Sequence, residues 1–192
     1  MIVLNTPNLI TLSRIVMIPL LLGIYYVPDP WLSISTKDIT ATTIFIFAGI
    51  TDWLDGYLAR RLNQMSAFGA FLDPVADKLI VVGALVVLLH LEPARVDALV
   101  ALIIIGREVA ISALREWMAK VGQAKSVAVA FVGKLKTVTQ MVAIPLLLYH
   151  DPLLGLDCQW WGTILINVAA ILTVVSMLYY LRKALPHARV DA

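Results

Sequence analysis

Six apolar stretches, at about 9–27, 39–58, 79–91, 96–118, 127–149 and 160–181, set the terms on which this chain folds. A helix crosses a bilayer with about 20 apolar residues, and most of the six are long enough. In lipid a segment must satisfy its own backbone N–H and C=O groups, so such stretches read as helices. Composition agrees. Of 192 residues, 60% are hydrophobic and 15% charged, and the mean hydropathy is +0.88. A soluble domain of this length is far more polar. The expectation is an all-α, polytopic membrane protein with six transmembrane helices, forming one domain over residues 1–192. The third stretch is short unless its polar start, from about Ala67, is helical too. That would put Asp73 and Asp77 on the membrane helix itself. No cleavable signal is expected, because the first stretch carries Arg14 and no small-residue cleavage site follows it.

Basic residues set the orientation. Arg60, Arg61, Lys120, Lys125, Arg182, Lys183 and Arg189 fall at one set of ends, whereas the opposite loops hold only Lys37 and Arg95. Those loops carry Asp29, Asp38, Glu92, Asp97, Asp151 and Asp157 instead. Six spans then place both termini in the cytoplasm. Pro19 and Pro145 are expected to kink the first and fifth spans. Trp31, Trp160 and Trp161 are expected as interfacial anchors. The net charge of +2 comes with no continuous basic run, so nucleic acid is not an expected partner. The single cysteine, Cys158, excludes an internal disulfide and a cysteine zinc cluster. His90, His150 and His187 form no ligand set and are expected to be bystanders.

Four aspartates interrupt this apolar pattern, as Asp52-x-x-Asp55-Gly56-x-x-Ala59-Arg60 and, eight residues later, Gly69-x-x-x-Asp73-x-x-x-Asp77. A carboxylate at membrane depth costs about 2.5–3.5 kcal/mol on insertion scales. Four together repel one another unless cations lie among them. Carboxylates are what hard ions such as Mg²⁺ and Mn²⁺ prefer. On a helix Asp52, Asp55, Gly56, Ala59 and Arg60 fall within an arc of about 140°. Gly56 and Ala59 leave a trough beside the acids, and Arg60 closes it with a cation suited to phosphate. Gly69, Asp73 and Asp77 fall within about 80° on the next helix. Pro74 either caps a new turn after Asp73 or kinks a continuous helix. The expectation is a metal site at the cytoplasmic side. The plainer alternative is that the acids pair with Arg60, Arg61 and Lys78.

The full pattern D-x2-D-G-x2-A-R-x8-G-x3-D-x3-D resembles the signature of the CDP-alcohol phosphotransferases, with all eight fixed residues in place. Further blocks resemble the bacterial members that use glycerol 3-phosphate as acceptor. They are Asn8-x-x-Thr11-x-x-Arg14, Phe68 to Lys78, Arg107-Glu108, Ser112 to Trp117 and Gly133-Lys134-x-Lys136-Thr137. The resemblance implies a six-helix enzyme of the bacterial inner membrane, usually a homodimer, with its active site facing the cytoplasm. An alcohol would attack the β-phosphorus of a CDP-linked donor, CDP-diacylglycerol, and CMP would leave. Asp52, Asp55, Asp73 and Asp77 would hold one or two divalent ions, Mg²⁺ or Mn²⁺. Asp77 would also be the general base. Gly56, Ala59, Arg60 and Gly69 would shape the nucleotide pocket, with Asn8, Thr11 and Arg14 touching the donor near its phosphates.

The acceptor implied, glycerol 3-phosphate, is a small dianion that needs fixed cations. Arg107, Arg115, Lys134 and Lys136 supply candidates, and Glu108 is expected to orient Arg115 by a buried ion pair. Helix–helix salt bridges and snorkelling explain the same residues without a ligand. The last span carries no recognisable motif. Related enzymes with other acceptors (serine, inositol phosphate or a second phospholipid, as in cardiolipin synthesis), a membrane prenyltransferase and a divalent-cation transporter remain open on the residues. A transport path would place polar groups along the membrane's depth, and here they cluster at one side.

Overall fold

The computed structural model describes residues 6–61, 67–91, 93–122 and 131–185, with the side chains at 6, 7, 55, 56, 58–60, 67, 68 and 70 excepted. Six α-helices run through the described residues: α1 (Thr6–Gly23), α2 (Ile34–Arg61), α3 (Ala67–His90), α4 (Ala98–Lys120), α5 (Phe131–Tyr149) and α6 (Cys158–Ala184). There is no strand among the described residues beyond one isolated bridge. The all-helical expectation therefore holds.

Local chemistry explains several ends. Helix α1 opens on Thr6-Pro7, where proline's missing N–H costs nothing. Pro28 accepts a turn-closing hydrogen bond from the N–H of Trp31 at 3.0 Å. Asp97 caps α4 by accepting from the backbone of Leu99, and Asp157 caps α6 by accepting from Trp160. Leu154 and Gly155 both take positive φ, 52° and 84°, in the tight turn between α5 and α6. The third helix starts at Ala67 and runs unbroken through Pro74, so Asp73 and Asp77 do share one helix.

By length and composition, three segments can cross a membrane: Asn8–Tyr26, Phe131–Tyr149 and Cys158–Ala184. Helices α2, α3 and α4 are long enough in residues but carry charges along their length, among them Asp52, Asp77 and Arg115, which line the site described below. Large apolar side chains face outward on every helix, among them Leu20, Phe47, Phe71, Leu102, Val138 and Ile171. A water-soluble monomer does not expose so broad an apolar surface.

Helix α1 packs on α2 and α3, α5 on α2 and α6, and α4 on α6. The core joins Leu21, Phe45, Leu85, Leu88, Ile104, Ile144, Leu147 and Ile166. Helices α5 and α6 pack closely at Gly162, where an added Cβ would lie 2.8 Å from Cγ of Leu147. Two polar layers bracket this core. One, at the end of the bundle opposite the aspartates, centres on Asp38 and Arg95. Arg95 donates to Asp38 at 2.7 Å and to the carbonyl of Leu148 at 2.8 Å, and the hydroxyl of Tyr25 donates to Asp38 at 2.9 Å. Asp38 and Lys37, read from sequence as loop residues, thus lie within α2, and Asp38 is buried with its partner.

Candidate functional site around Arg14

The other polar layer draws on the first turns of α1, the end of α2, the start of α3, the later half of α4 and the first half of α5. Successive helices run in opposite directions, so these segments meet at one end. Arg14 sits among them with 1% of its side chain exposed. Its Nη1 donates to Oδ1 of Asp52 at 2.7 Å and also to Asp77. Its Nη2 lies 3.7 Å from Asp73, whose Oδ1 accepts from the hydroxyl of Thr11 at 2.7 Å. Asn8 and Gly69 are buried in the same region. Arg14 is thus a buried hub.

The charges explain the geometry. Three carboxylates from two helices converge on one guanidinium, which neutralises only part of their mutual repulsion. The acids are not sealed in. Their side chains are 47%, 44% and 46% exposed at Asp52, Asp73 and Asp77. Half-exposed carboxylate oxygens are the donor chemistry that Mg²⁺ or Mn²⁺ takes. Among the described residues no group of three His, Cys, Asp or Glu side chains is placed to hold one ion together, and the side chain of Asp55 lies outside that part. The side chains of Asp55, Gly56, Ala59 and Arg60 lie outside the described part, although their backbone belongs to α2. Arg61, a proposed partner of the acids, donates instead to the hydroxyl of Tyr57 at 3.0 Å.

A cavity of about 340 Å³ opens beside this cluster. It is lined by Arg14, Asp52, Asp77 and Lys78 from α1, α2 and α3, and by Glu108, Arg115, Lys136, Thr137 and Gln140 from α4 and α5. Glu108 accepts from Arg107 at 3.1 Å and from Lys136. The expected Glu108–Arg115 pair is therefore corrected: the carboxylate turns to its sequence neighbour and to α5. Arg115 instead lies over the ring of Tyr180, 5.7 Å from its centroid. Arg107 is buried and donates to the hydroxyl of Ser176 at 3.3 Å.

Of the four expected acceptor cations, Lys136 and Arg115 line the cavity, while Arg107 and Lys134 are absent from its lining among the described residues. Lys134 points outward and is exposed. Helix α6 contributes more than its lack of motif implied, since Ser176 and Tyr180 anchor both arginines of α4. A signal was present: Thr173, Ser176 and Tyr180 repeat at i, i+3 and i+7 within an apolar helix. His90 stacks on Tyr26 and His150 meets Gln159, both away from the cavity lining; His187 lies outside the described residues. Cys158 is buried and free.

An all-helical bundle thus brings an acid cluster and the cations Arg14, Lys78, Arg115 and Lys136 to one cavity. The chain belongs to the CDP-alcohol phosphatidyltransferase family, whose model matches residues 4–179. Among its relatives is the CDP-diacylglycerol–glycerol-3-phosphate 3-phosphatidyltransferase of Salmonella choleraesuis (strain SC-B67). It is 46% identical over 180 residues, which cover 94% of each chain. The enzyme of the same name from Escherichia coli (strain K12) matches with the same identity and coverage.

Proposed function

We propose that this chain is a metal-dependent transferase of phospholipid synthesis, moving the phosphatidyl group of CDP-diacylglycerol onto glycerol 3-phosphate. The products are phosphatidylglycerophosphate and CMP. The observation that carries the reading is the shared cavity: the Arg14–Asp52–Asp77 cluster lines it together with Lys136 and Arg115. The names of the two relatives support the choice of both substrates.

In this reading Asp52, Asp55, Asp73 and Asp77 hold the divalent ion, which when bound supplies charge neutralisation at the diphosphate. Arg14 keeps the acids of α2 and α3 in register. Gly56, Ala59, Arg60, Gly69, Asn8 and Thr11 shape the donor's nucleotide and phosphate site. Lys136 and Arg115 bind the phosphate of the acceptor, as fixed cations bind a dianion. Asp77 takes the proton from the attacking hydroxyl, because an alcohol is a weak nucleophile at neutral pH. The hydroxyl oxygen bonds to the β-phosphorus, the bond from that phosphorus to the bridging oxygen breaks, and CMP departs with the electron pair. Transfer of this kind depends chiefly on positioning and electrostatics.

The reading extends to the whole protein. All six helices span the inner membrane of a bacterium, as a single domain over residues 1–192. The basic ends and the site face the cytoplasm, and the enzyme works as a homodimer. Membership of a family of membrane lipid enzymes and three helices of spanning composition support a membrane location. The test is CMP release by the purified protein with CDP-diacylglycerol, Mg²⁺ and a panel of acceptors. Preference for serine or phosphatidylglycerol over glycerol 3-phosphate would assign it to another branch of the family.

A further inference from the structure

Gln140 is 3% exposed and lines the cavity, yet its Oε1 has no hydrogen-bond partner among the described residues. A buried acceptor left unmet is costly, so a ligand that donates to it gains from doing so. Glu108, the acid of α4 in the same lining, already accepts from Arg107 and Lys136. Lys136 precedes Gln140 by four residues and lines the same cavity. One face of α5 therefore offers a cation and, about 6 Å further along the axis, a neutral acceptor oxygen.

That pair of groups has a chemical complement. It is a small phosphate ester carrying a hydroxyl close to its phosphate. The phosphate meets the cation and the hydroxyl donates to the amide. An amide suits the place better than a carboxylate, since it accepts without repelling a dianion. Resting on the transferase reading above, we infer that Gln140 determines acceptor specificity. Its Oε1 accepts a hydrogen bond from the second, non-reacting hydroxyl of the acceptor, the middle one in glycerol 3-phosphate, while Lys136 binds the phosphate. The reacting hydroxyl is left to Asp77, which lines the same cavity.

The experiment compares kcat/KM for glycerol 3-phosphate and for 1,3-propanediol monophosphate, which keeps the phosphate and a primary hydroxyl but lacks the middle one. The full-length protein is expected to prefer glycerol 3-phosphate by about twofold to tenfold, the range of one net hydrogen bond. Gln140→Met is expected to bring the ratio close to one with an unchanged KM for CDP-diacylglycerol. Gln140→Glu keeps an acceptor oxygen, so it is expected to retain the preference while raising KM for both phosphates. A loss of packing alone lowers both rates and leaves the ratio where it was. An unchanged ratio in Gln140→Met overturns the inference. So does an unmutated protein with no preference, which decides the matter even if Gln140→Met fails to fold. CMP release with neither compound overturns the transferase reading, and this assignment with it.

Discussion

Nη1 of Arg14 lies 2.7 Å from Oδ1 of Asp52, joining the first helix to the second across 38 residues of sequence. The same guanidinium reaches Asp77 on the third helix, so one buried side chain ties together the two halves of the aspartate motif.

Replacing that hub has a defined consequence. Arg14→Met leaves Asp52, Asp73 and Asp77 to repel one another. Breaking a fully buried ion pair costs about 3–5 kcal/mol, and the loss here is smaller because the acids are half exposed. The expected outcome is a lower Tm in detergent and a rise on adding Mg²⁺ that exceeds the unmutated protein's. Equal stabilisation of both by Mg²⁺ would show that Arg14 and the ion do not share the acids.

Asp77→Asn preserves the side chain's shape and an oxygen, but at neutral pH an amide takes no proton. Loss of a positioned base typically costs about 10²–10⁴ in rate. Turnover is expected to fall by that order while CDP-diacylglycerol still binds, as measured by its protection of the variant against thermal unfolding. Normal turnover would move the base to another group.

The two lysines of the fifth helix separate cleanly. Lys136→Ala is expected to raise the KM for glycerol 3-phosphate at least tenfold, with a smaller change for CDP-diacylglycerol, because Lys136 lines the cavity. Lys134→Ala is expected to change either constant less than threefold, because Lys134 is exposed. Steady-state kinetics against each substrate decides it, and the reverse ranking would remove Lys136 from the acceptor site.

Gly162→Leu tests the packing of α5 against α6. An added Cβ already lies 2.8 Å from Cγ and 3.2 Å from the backbone nitrogen of Leu147. Overpacking of this kind costs about 1–3 kcal/mol. Lower thermal stability is expected, with Gly162→Ala milder than Gly162→Leu. Unchanged melting in both would mean that the two helices separate freely at this point.

Much of the fold was legible because apolar length and helical spacing are local properties. The start of α3 at Ala67 followed from asking how so short a stretch could span a bilayer. Partners distant in sequence were not legible. Arg14 read as a contact to the donor, since nothing local places a guanidinium between α2 and α3. Arg115 was paired with Glu108 by helix stripe, whereas the ring it meets, Tyr180, comes from α6. The choice between Lys134 and Lys136 was available from spacing. Two residues put them about 200° apart on a helix, so only one could face the cavity. The same count places Gln140 beside Lys136, but a glutamine in an apolar helix shows no sign of an unmet acceptor until its neighbours are in place.

The most direct measurement is CMP release by the purified protein from CDP-diacylglycerol plus glycerol 3-phosphate, followed with and without a chelator. The predicted result is release that requires both substrates, stops in excess chelator, returns with Mg²⁺ or Mn²⁺, and falls at least a hundredfold in Asp52→Ala, Asp55→Ala and Asp73→Ala. Full activity in excess chelator, or in any of those three variants, would contradict a metal-dependent transfer at this site.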